Sequence, residues 1–335
     1  MMAVKRVSKS GTDADGQVPA GEAVPVEQEG HCSNPLAPSL ELYWLNFVRQ
    51  LTACQENASV ELVHDLRVAT RRLLTLLELL LVQNKLKPVE RIHEELKKLR
   101  TDFDKLRDTQ VMIAELSNMT TQMQGSAEFL AYLHKRELSQ KSAVGLDIAK
   151  YKVQRNAARV TSAQKVLCDG CADPADCERK VLRAMDRSFG TVQRLWRKLD
   201  SSKPATFHAL RIACRRFRYQ LEVVNSIFIQ YPSANMIAIK ALQDKLGDIQ
   251  NHEVMLGILE RYTRKHGDCN LTGLRESLAQ KTADAMTAIL MMDAKPETLW
   301  RASKREVFPW AGGSAQEAAD GETKRSRKKP AAVEE

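Results

Sequence analysis

The chain is 335 residues long, enough for two ordinary domains or one duplicated domain with tails, and 51 Lys+Arg against 42 Asp+Glu give it a formal net charge of +9. That balance suits a polyanionic partner (nucleic acid, polyphosphate or an acidic membrane surface), while an aromatic content of only 5% argues against the base-stacking platforms of single-stranded nucleic-acid binders. The opening MMAVKRVSKSGTDADG lacks the apolar core of a secretory signal, and the most apolar run, Leu73 to Val82, is too short for a bilayer and contains Glu78, so a cytoplasmic protein without membrane insertion is expected.

Residues 1–35 are rich in Gly, Ala, Val, Glu and Pro without periodicity and read as a disordered leader. Pro35 and Pro38 open a helix whose apolar face is expected at Leu40, Leu42, Leu45, Val48 and Leu51. Ser59 is the expected N-cap of the next helix, to about Gln83, and Pro88 suits the first turn of a third, to about Asn118. Gly125 and Ser126 break the chain before a fourth helix, expected in one piece from Ala127 to about Leu167. CDGCADPADCER, with Gly170 and Pro174, then interrupts the helices, and residues 168–176 are expected to link a half at 36–167 to a half at 177–310. The pattern restarts at 177–199, with Val181, Met185, Phe189, Val192 and Trp196 on one side. Further helices are expected from Pro204, from Pro232 to Gly267, and from about Leu271 to Met291 and Met292. Residues 311–335, with KRSRKK at 324–329, read as a disordered basic tail. Strand alternation and hairpin dipeptides are nearly absent, so the expected fold class is all-α, in two tandem repeats of about four helices each. The seven cysteines are scattered and suggest no disulfide framework, which fits a reducing compartment.

One stretch occurs twice. Val63–Glu78 reads VHDLRVATRRLLTLLE, and Phe207–Glu222 reads FHALRIACRRFRYQLE, at an offset of 144 (208 − 64). From His64 to Glu78, eight of fifteen positions are identical without a gap, the mark of an internal duplication. At about 100° per residue, Arg67 and Arg71 fall within roughly 60° of His64, so the three share one stripe of the helix. Leu62, Leu66, Ala69, Leu73, Leu77 and Leu80 take the far side. His208, Arg211 and Arg215 repeat the stripe, with Tyr219 continuing it, against Leu210, Ala213, Phe217, Leu221 and Val224. Arg72 and Arg216 flank one edge, and Arg218 the other in the second copy only. Cations one turn apart suit a linear polyanion, whose successive phosphates can meet successive guanidinium groups. Each histidine would add a hydrogen bond near a helix N-terminus, where the macrodipole favours anions. Arginines opposite leucines are ordinarily a solvated face with i,i+4 pairs, for which Glu78 and Glu222 would serve. Recurrence of the same cations in both halves favours a site instead.

HDLRVATRR and HALRIACRRFRY resemble the signature of the CHAD domain, the conserved histidine α-helical domain. A second stretch agrees: LRTDFDKLRDTQV, Leu99–Val111, corresponds to LQDKLGDIQNHEV, Leu242–Val254, at an offset of 143 (242 − 99). The family tends to have Leu-Gly-x-x-Arg-Asp-x-Asp-Val here. The first copy keeps Arg107, Asp108 and Val111, and the second keeps Leu246, Gly247 and Val254. The chain departs at Asp104 in place of the glycine, Gln110 in place of the later aspartate, and Asn251 where the first copy has Asp108. The resemblance spans about residues 36–310 and implies two four-helix halves related by pseudo-twofold symmetry, with a basic groove that binds inorganic polyphosphate. Carried over residue by residue, the binding set is His64, Arg67, Arg71 and Arg72 with His208, Arg211, Arg215, Arg216 and Arg218. Lys97 and Lys240 align at the same offset and are weaker members. Arg107 either joins them or pairs with Asp108 or a neighbour. Lys152, Arg155 and Arg159 form a further i, i+3, i+7 stripe that is either a binding or a solvated face.

Other chemistries find less support. His64-Asp65 is similar to the His-Asp pair of metal phosphohydrolases, but the second copy has Ala209 there. Cys168, Cys171 and Cys177 contain one CxxC without a clear fourth ligand for structural zinc. No alternating Glu-x-Glu-x-Lys strand of a triphosphate-processing domain, Walker loop or nucleophile elbow is found. The expectation is a non-enzymatic binder of inorganic polyphosphate, without cofactor or metal, carried by that binding to polyphosphate granules. The alternatives are a nucleic-acid-binding protein using the same face with the KRSRKK tail, or an accessory subunit of a phosphate-processing enzyme.

Overall fold

The computed structural model describes residues 34–57, 59–119, 126–170, 173–225, 227–267, 271–292 and 299–301. Most of the expected leader, the basic tail, Cys32, Cys171 and Cys269 lie outside them. The described residues form nine α-helices and no β-strand: α1 Ala37–Glu56, α2 Val60–Gln83, α3 Lys87–Met119, α4 Ser126–Lys150, α5 Val153–Asp169, α6 Pro174–Trp196, α7 Pro204–Asn225, α8 Ser233–His266 and α9 Thr272–Leu290. The local punctuation explains most boundaries. Ser59 accepts a hydrogen bond from the Leu62 amide at 3.2 Å and caps α2. Asp173 accepts from the Ala175 amide at 2.9 Å, and Pro174 supplies the first turn of α6. The proline read as a breaker therefore opens α6, three residues (177 − 174) earlier than expected. Gly267, at φ 52°, ends α8 in a conformation that side chains disfavour. Asn34, grouped with the leader by composition, is buried, its side-chain oxygen accepting from the Leu36 amide at 3.0 Å.

The fourth helix is not one piece. α4 stops at Lys150 and α5 begins at Val153, with Lys152 at φ −90° and ψ 81°. No glycine or proline marks this break; tertiary contacts make it. The Tyr151 ring packs edge-on against Phe47 of α1 at 5.3 Å, and Gln55 of α1 donates to the Ile148 carbonyl at 3.3 Å. α4 can then run along α3 while α5 lies against α1 and α3. Neighbours in the chain pack in the order α1, α2, α3, α4, and again α6, α7, α8, α9; α2 also packs on α6 and α7, and α3 touches α8.

Two hydrophobic cores result, and neither is confined to one half of the chain. The larger runs through α1, α2 and α5 to α7 with the first parts of α3 and α8 and the last parts of α4 and α9; the smaller joins Met112 and Leu116 of α3, Phe129 and Leu133 of α4, Met255, Leu259 and Tyr262 of α8, and Leu274 and Leu278 of α9. In α1 the buried face is Ala37, Leu40, Trp44, Phe47, Leu51 and Cys54. Leu42 and Leu45, expected inside, are exposed, because the two rings set the face. Buried residues surround α2 on nearly every side, so it is a central helix, not a surface one with a solvated stripe. Cys54 and Cys214 are buried free thiols, pushed up to about 11 and about 12 by burial. Cys168, in contrast to the expectation from scattered cysteines, is disulfide-bonded. No helix among the described residues is long and apolar enough to cross a membrane.

Candidate anion-binding site

The two copies of the duplicated helix, α2 and α7, pack on one another and are tied by reciprocal pairs. Arg72 Nε lies 3.6 Å from Glu222 Oε2, and Arg216 Nη2 lies 3.4 Å from Glu78 Oε2. At the 144 offset Arg72 aligns with Arg216 and Glu78 with Glu222, so each pair is the image of the other. Glu222 also takes the expected i,i+4 partner, accepting from Arg218 at 2.5 Å, whereas Glu78 pairs with His93 of α3, 3.6 Å away, as well as with Arg216 across the crossing. Arg218 further donates to Gln243 at 2.7 Å and lies 4.7 Å over the Tyr219 ring.

Around this crossing the stripes of α2 and α7 come together. Arg67 and Arg71 are largely covered, and both reach one carboxylate from α3: Arg67 Nε and Arg71 Nη2 lie 3.0 and 2.5 Å from Asp104 Oδ1. Arg71 also donates to the Tyr219 hydroxyl of α7 at 3.4 Å. Arg100 Nε, 3.9 Å from Asp104 Oδ2, is buried without a hydrogen bond. Arg211 and Arg215 of α7 are half-buried, yet neither has an ion pair or side-chain hydrogen bond among the described residues. A cleft of about 250 Å³ opens here, lined by Arg71, Arg100, Arg215 and Arg216 with Glu78 and Tyr219.

The electrostatics follow from this crowding. Burial pushes Arg215 down to about 10, and the charges of Arg71 and Arg211 add to the effect. Arg211 is lowered by burial, only partly offset by Asp108, and Arg67 by burial and Arg71. Arg71 alone of the four is raised: burial opposes its charge, but Asp104 and Tyr219 outweigh it. Asp104 is held below the usual carboxylate range by Arg71 and Arg67 in spite of burial. Asp108 is raised by burial and by the charge of Asp104. Tyr219, in spite of burial, is lowered by the charge of Arg71 and its hydrogen bond. Four guanidinium groups thus face two carboxylates, Asp104 lowered and Asp108 raised from their ordinary values.

The histidines sit farther out. His64 is exposed, yet partial loss of solvent around its ring, with the charges of Arg107 and Arg67, lowers its pKa. His208 is exposed and hydrogen-bonded to Gln250, the residue that aligns with Arg107 at the 143 offset. The motif histidine therefore addresses the same position of the following helix in both copies. Arg107 has no ion pair with Asp108 or any other described residue. Lys97 and Lys240 are exposed on α3 and α8 and do not line the cleft. Lys152, Arg155 and Arg159 do not form a stripe on the fourth helix. Lys152 sits at the start of α5, while Arg155 and Arg159 reach Glu95 of α3 at 2.7 and 2.8 Å, joined by Asn156 at 2.8 Å. That group clamps α5 to α3. Sequence reasoning missed Arg100 and the hydrogen-bonding role of Tyr219; the position of Tyr219 one turn beyond Arg215 was the available signal.

Among the described residues no group of three or more His, Cys, Asp or Glu is arranged to hold a metal ion. Comparison with curated proteins finds no match. Among solved structures, the CHAD domain from the plant Ricinus communis superposes with a TM-score of 0.60 at 19% identity, over 85% of this chain and 96% of that one. PptA from Streptomyces chartreusis gives 0.54 at 18% identity, over 77% and 95%. At these identities both share the fold. The sequence profile of the CHAD domain matches residues 43–260, most of the helical region, and the chain belongs to the CHAD domain family.

Proposed function

We propose that the α2–α7 seam binds inorganic polyphosphate and does not cleave it. The observation that carries this reading is the state of Arg211 and Arg215: half-buried, beside Arg71, and without an ion pair or side-chain hydrogen bond among the described residues. Partly desolvated cations held against one another destabilise the fold unless an anion joins them. Two guanidinium groups one helical turn apart present donors to successive phosphates of a chain. Membership of the CHAD family supports a phosphate polymer over other anions. A nucleic acid is less suited, because the ring nearest the cations, Tyr219, is covered on one face by Arg218 and holds Arg71 through its hydroxyl. Recruitment to polyphosphate granules follows from the same binding.

The test is a binding titration with long-chain polyphosphate across a salt series, with duplex and single-stranded DNA as competitors at matched phosphate concentration. Affinity is expected to fall steeply with salt, as released counterions require, and DNA to compete poorly. Equal binding of DNA would favour the nucleic-acid reading. Phosphate release from polyphosphate or triphosphate with Mg²⁺, abolished by neutralising the seam arginines, would favour an enzyme.

A further inference from the structure

The two copies of the motif are unequal, and one of the positions that differ lies on the following helix. α3 carries Asp104 and α8 carries Gly247, related by the 143 offset (247 − 104). The register of α7 against α8 is fixed by two bonds, His208 to Gln250 and Arg218 to Gln243. Arg211 and Arg215 lie between His208 and Arg218, and Gly247 lies between Gln243 and Gln250, so the two arginines stand across from the glycine. A Cβ built on Gly247 would meet nothing within 4 Å. The glycine is therefore not demanded by close packing, and the space a carboxylate fills in the first copy is open in the second.

In the first copy that space holds an anion already. One oxygen of Asp104 takes bonds from Arg67 at 3.0 Å and Arg71 at 2.5 Å, as a phosphate oxygen would, and the other faces Arg100 at 3.9 Å. We infer that Asp104 is a resident counter-anion that occupies the phosphate position of the α2 copy, so that the ligand is held by Arg211 and Arg215 of the α7 copy. This rests on the reading of the seam as a phosphate site. Asp104 sets affinity in two ways: it neutralises two cations that a phosphate could use, and its own charge repels a phosphate approaching from the cleft. The site then has one filled and one open position, and its capacity is governed by a residue that makes no contact with the ligand's own cations.

The experiment compares four full-length proteins by calorimetric titration with tripolyphosphate and with long-chain polyphosphate: wild type, Asp104→Asn, Gly247→Asp and Arg215→Gln. Asp104→Asn is expected to tighten binding by about tenfold at low salt and to steepen its salt dependence, since more cations are exposed to phosphate. Gly247→Asp places a carboxylate opposite Arg211 and Arg215 and is expected to weaken binding by about tenfold or more while raising the melting temperature. It tests the inference even if Asp104→Asn does not fold. Unchanged binding in Gly247→Asp, or unchanged or weaker binding in a folded Asp104→Asn, with Arg215→Gln still defective, overturns the role of Asp104 and leaves the seam as the site. Wild-type binding that survives Arg215→Gln undiminished overturns the seam itself.

Discussion

Arg71 and Arg215 occupy aligned positions of the duplicated helix, yet replacing each by methionine should move stability in opposite directions. The side chain of Arg71 is 8% exposed and bonded to Asp104 and Tyr219. Removing one member of a buried pair costs about 3–5 kcal/mol, and retention of the Arg67–Asp104 contact reduces this to about 2–3 kcal/mol. For a domain of this size that is a fall in Tm of roughly 5 °C or more. Arg215 has no carboxylate, and burial beside Arg71 and Arg211 pushes it down to about 10. A cation whose folded pKa lies below its unfolded value is penalised by folding at neutral pH, so its removal should stabilise. Discounted for partial exposure, the gain is about 1 kcal/mol. Thermal melts followed by circular dichroism, with and without long-chain polyphosphate, separate the two. Polyphosphate should raise the Tm of wild type by mass action and leave Arg215→Met unmoved. If Arg215→Met melts as far below wild type as Arg71→Met does, Arg215 is a structural residue and the reasoning fails.

Burial and the charge of Asp104 raise Asp108 from its ordinary carboxylate value, so wild type loses stability as pH rises from about 4 through the raised pKa. Asp108→Asn should therefore melt higher than wild type at pH 7, with the gain shrinking as pH falls toward 4. Glu95 is held down at about 2 against burial by Asn156, Arg159 and Arg155, so its contribution is complete above its unfolded pKa and lost as pH falls toward 2. Glu95→Gln should cost about 1–2 kcal/mol at pH 7 by urea unfolding, and little in acid, where wild type has lost the same interaction. The reciprocal pairs should give similar small coupling energies, about 0.5 kcal/mol each, in double-mutant cycles of Arg72 with Glu222 and Arg216 with Glu78, both fading in high salt.

Much of the fold was legible because helices announce their ends locally. Ser59, Pro88, Pro204, Pro232 and Gly267 mark boundaries through capping and backbone geometry, and the α6 face at Val181, Met185, Phe189 and Val192 follows from the 3.6 period. The break at Tyr151 and Lys152 was not legible, since its causes are remote in sequence: Phe47, Gln55 and the Glu95 clamp. The site shows the same division. Duplication identified the arginines, but a helical wheel describes one helix in isolation and places Arg67 and Arg71 on an open face. Only the packing of α3 shows them covered by Asp104, which the sequence presented merely as a departure from a family glycine.

A duplicated helix with matching arginines could have produced two equal half-sites, and the cross pairs preserve that relation: exchanging the copies turns Arg72–Glu222 into Arg216–Glu78. Two substitutions break it. Gly247 stands where the first copy has Asp104, and Thr75 stands where the second has Tyr219. Both act on the same pair of aligned arginines. Arg71 receives the Asp104 carboxylate and the Tyr219 hydroxyl; for Arg215 the aligned position on α8 is the glycine, which offers no carboxylate, and the Thr75 hydroxyl is turned to the Arg71 carbonyl at 2.9 Å. Each change alone would leave Arg215 one partner. Together they strip it of both while supplying both to Arg71, so a single motif holds the crossing together through its first copy and leaves charge available through its second.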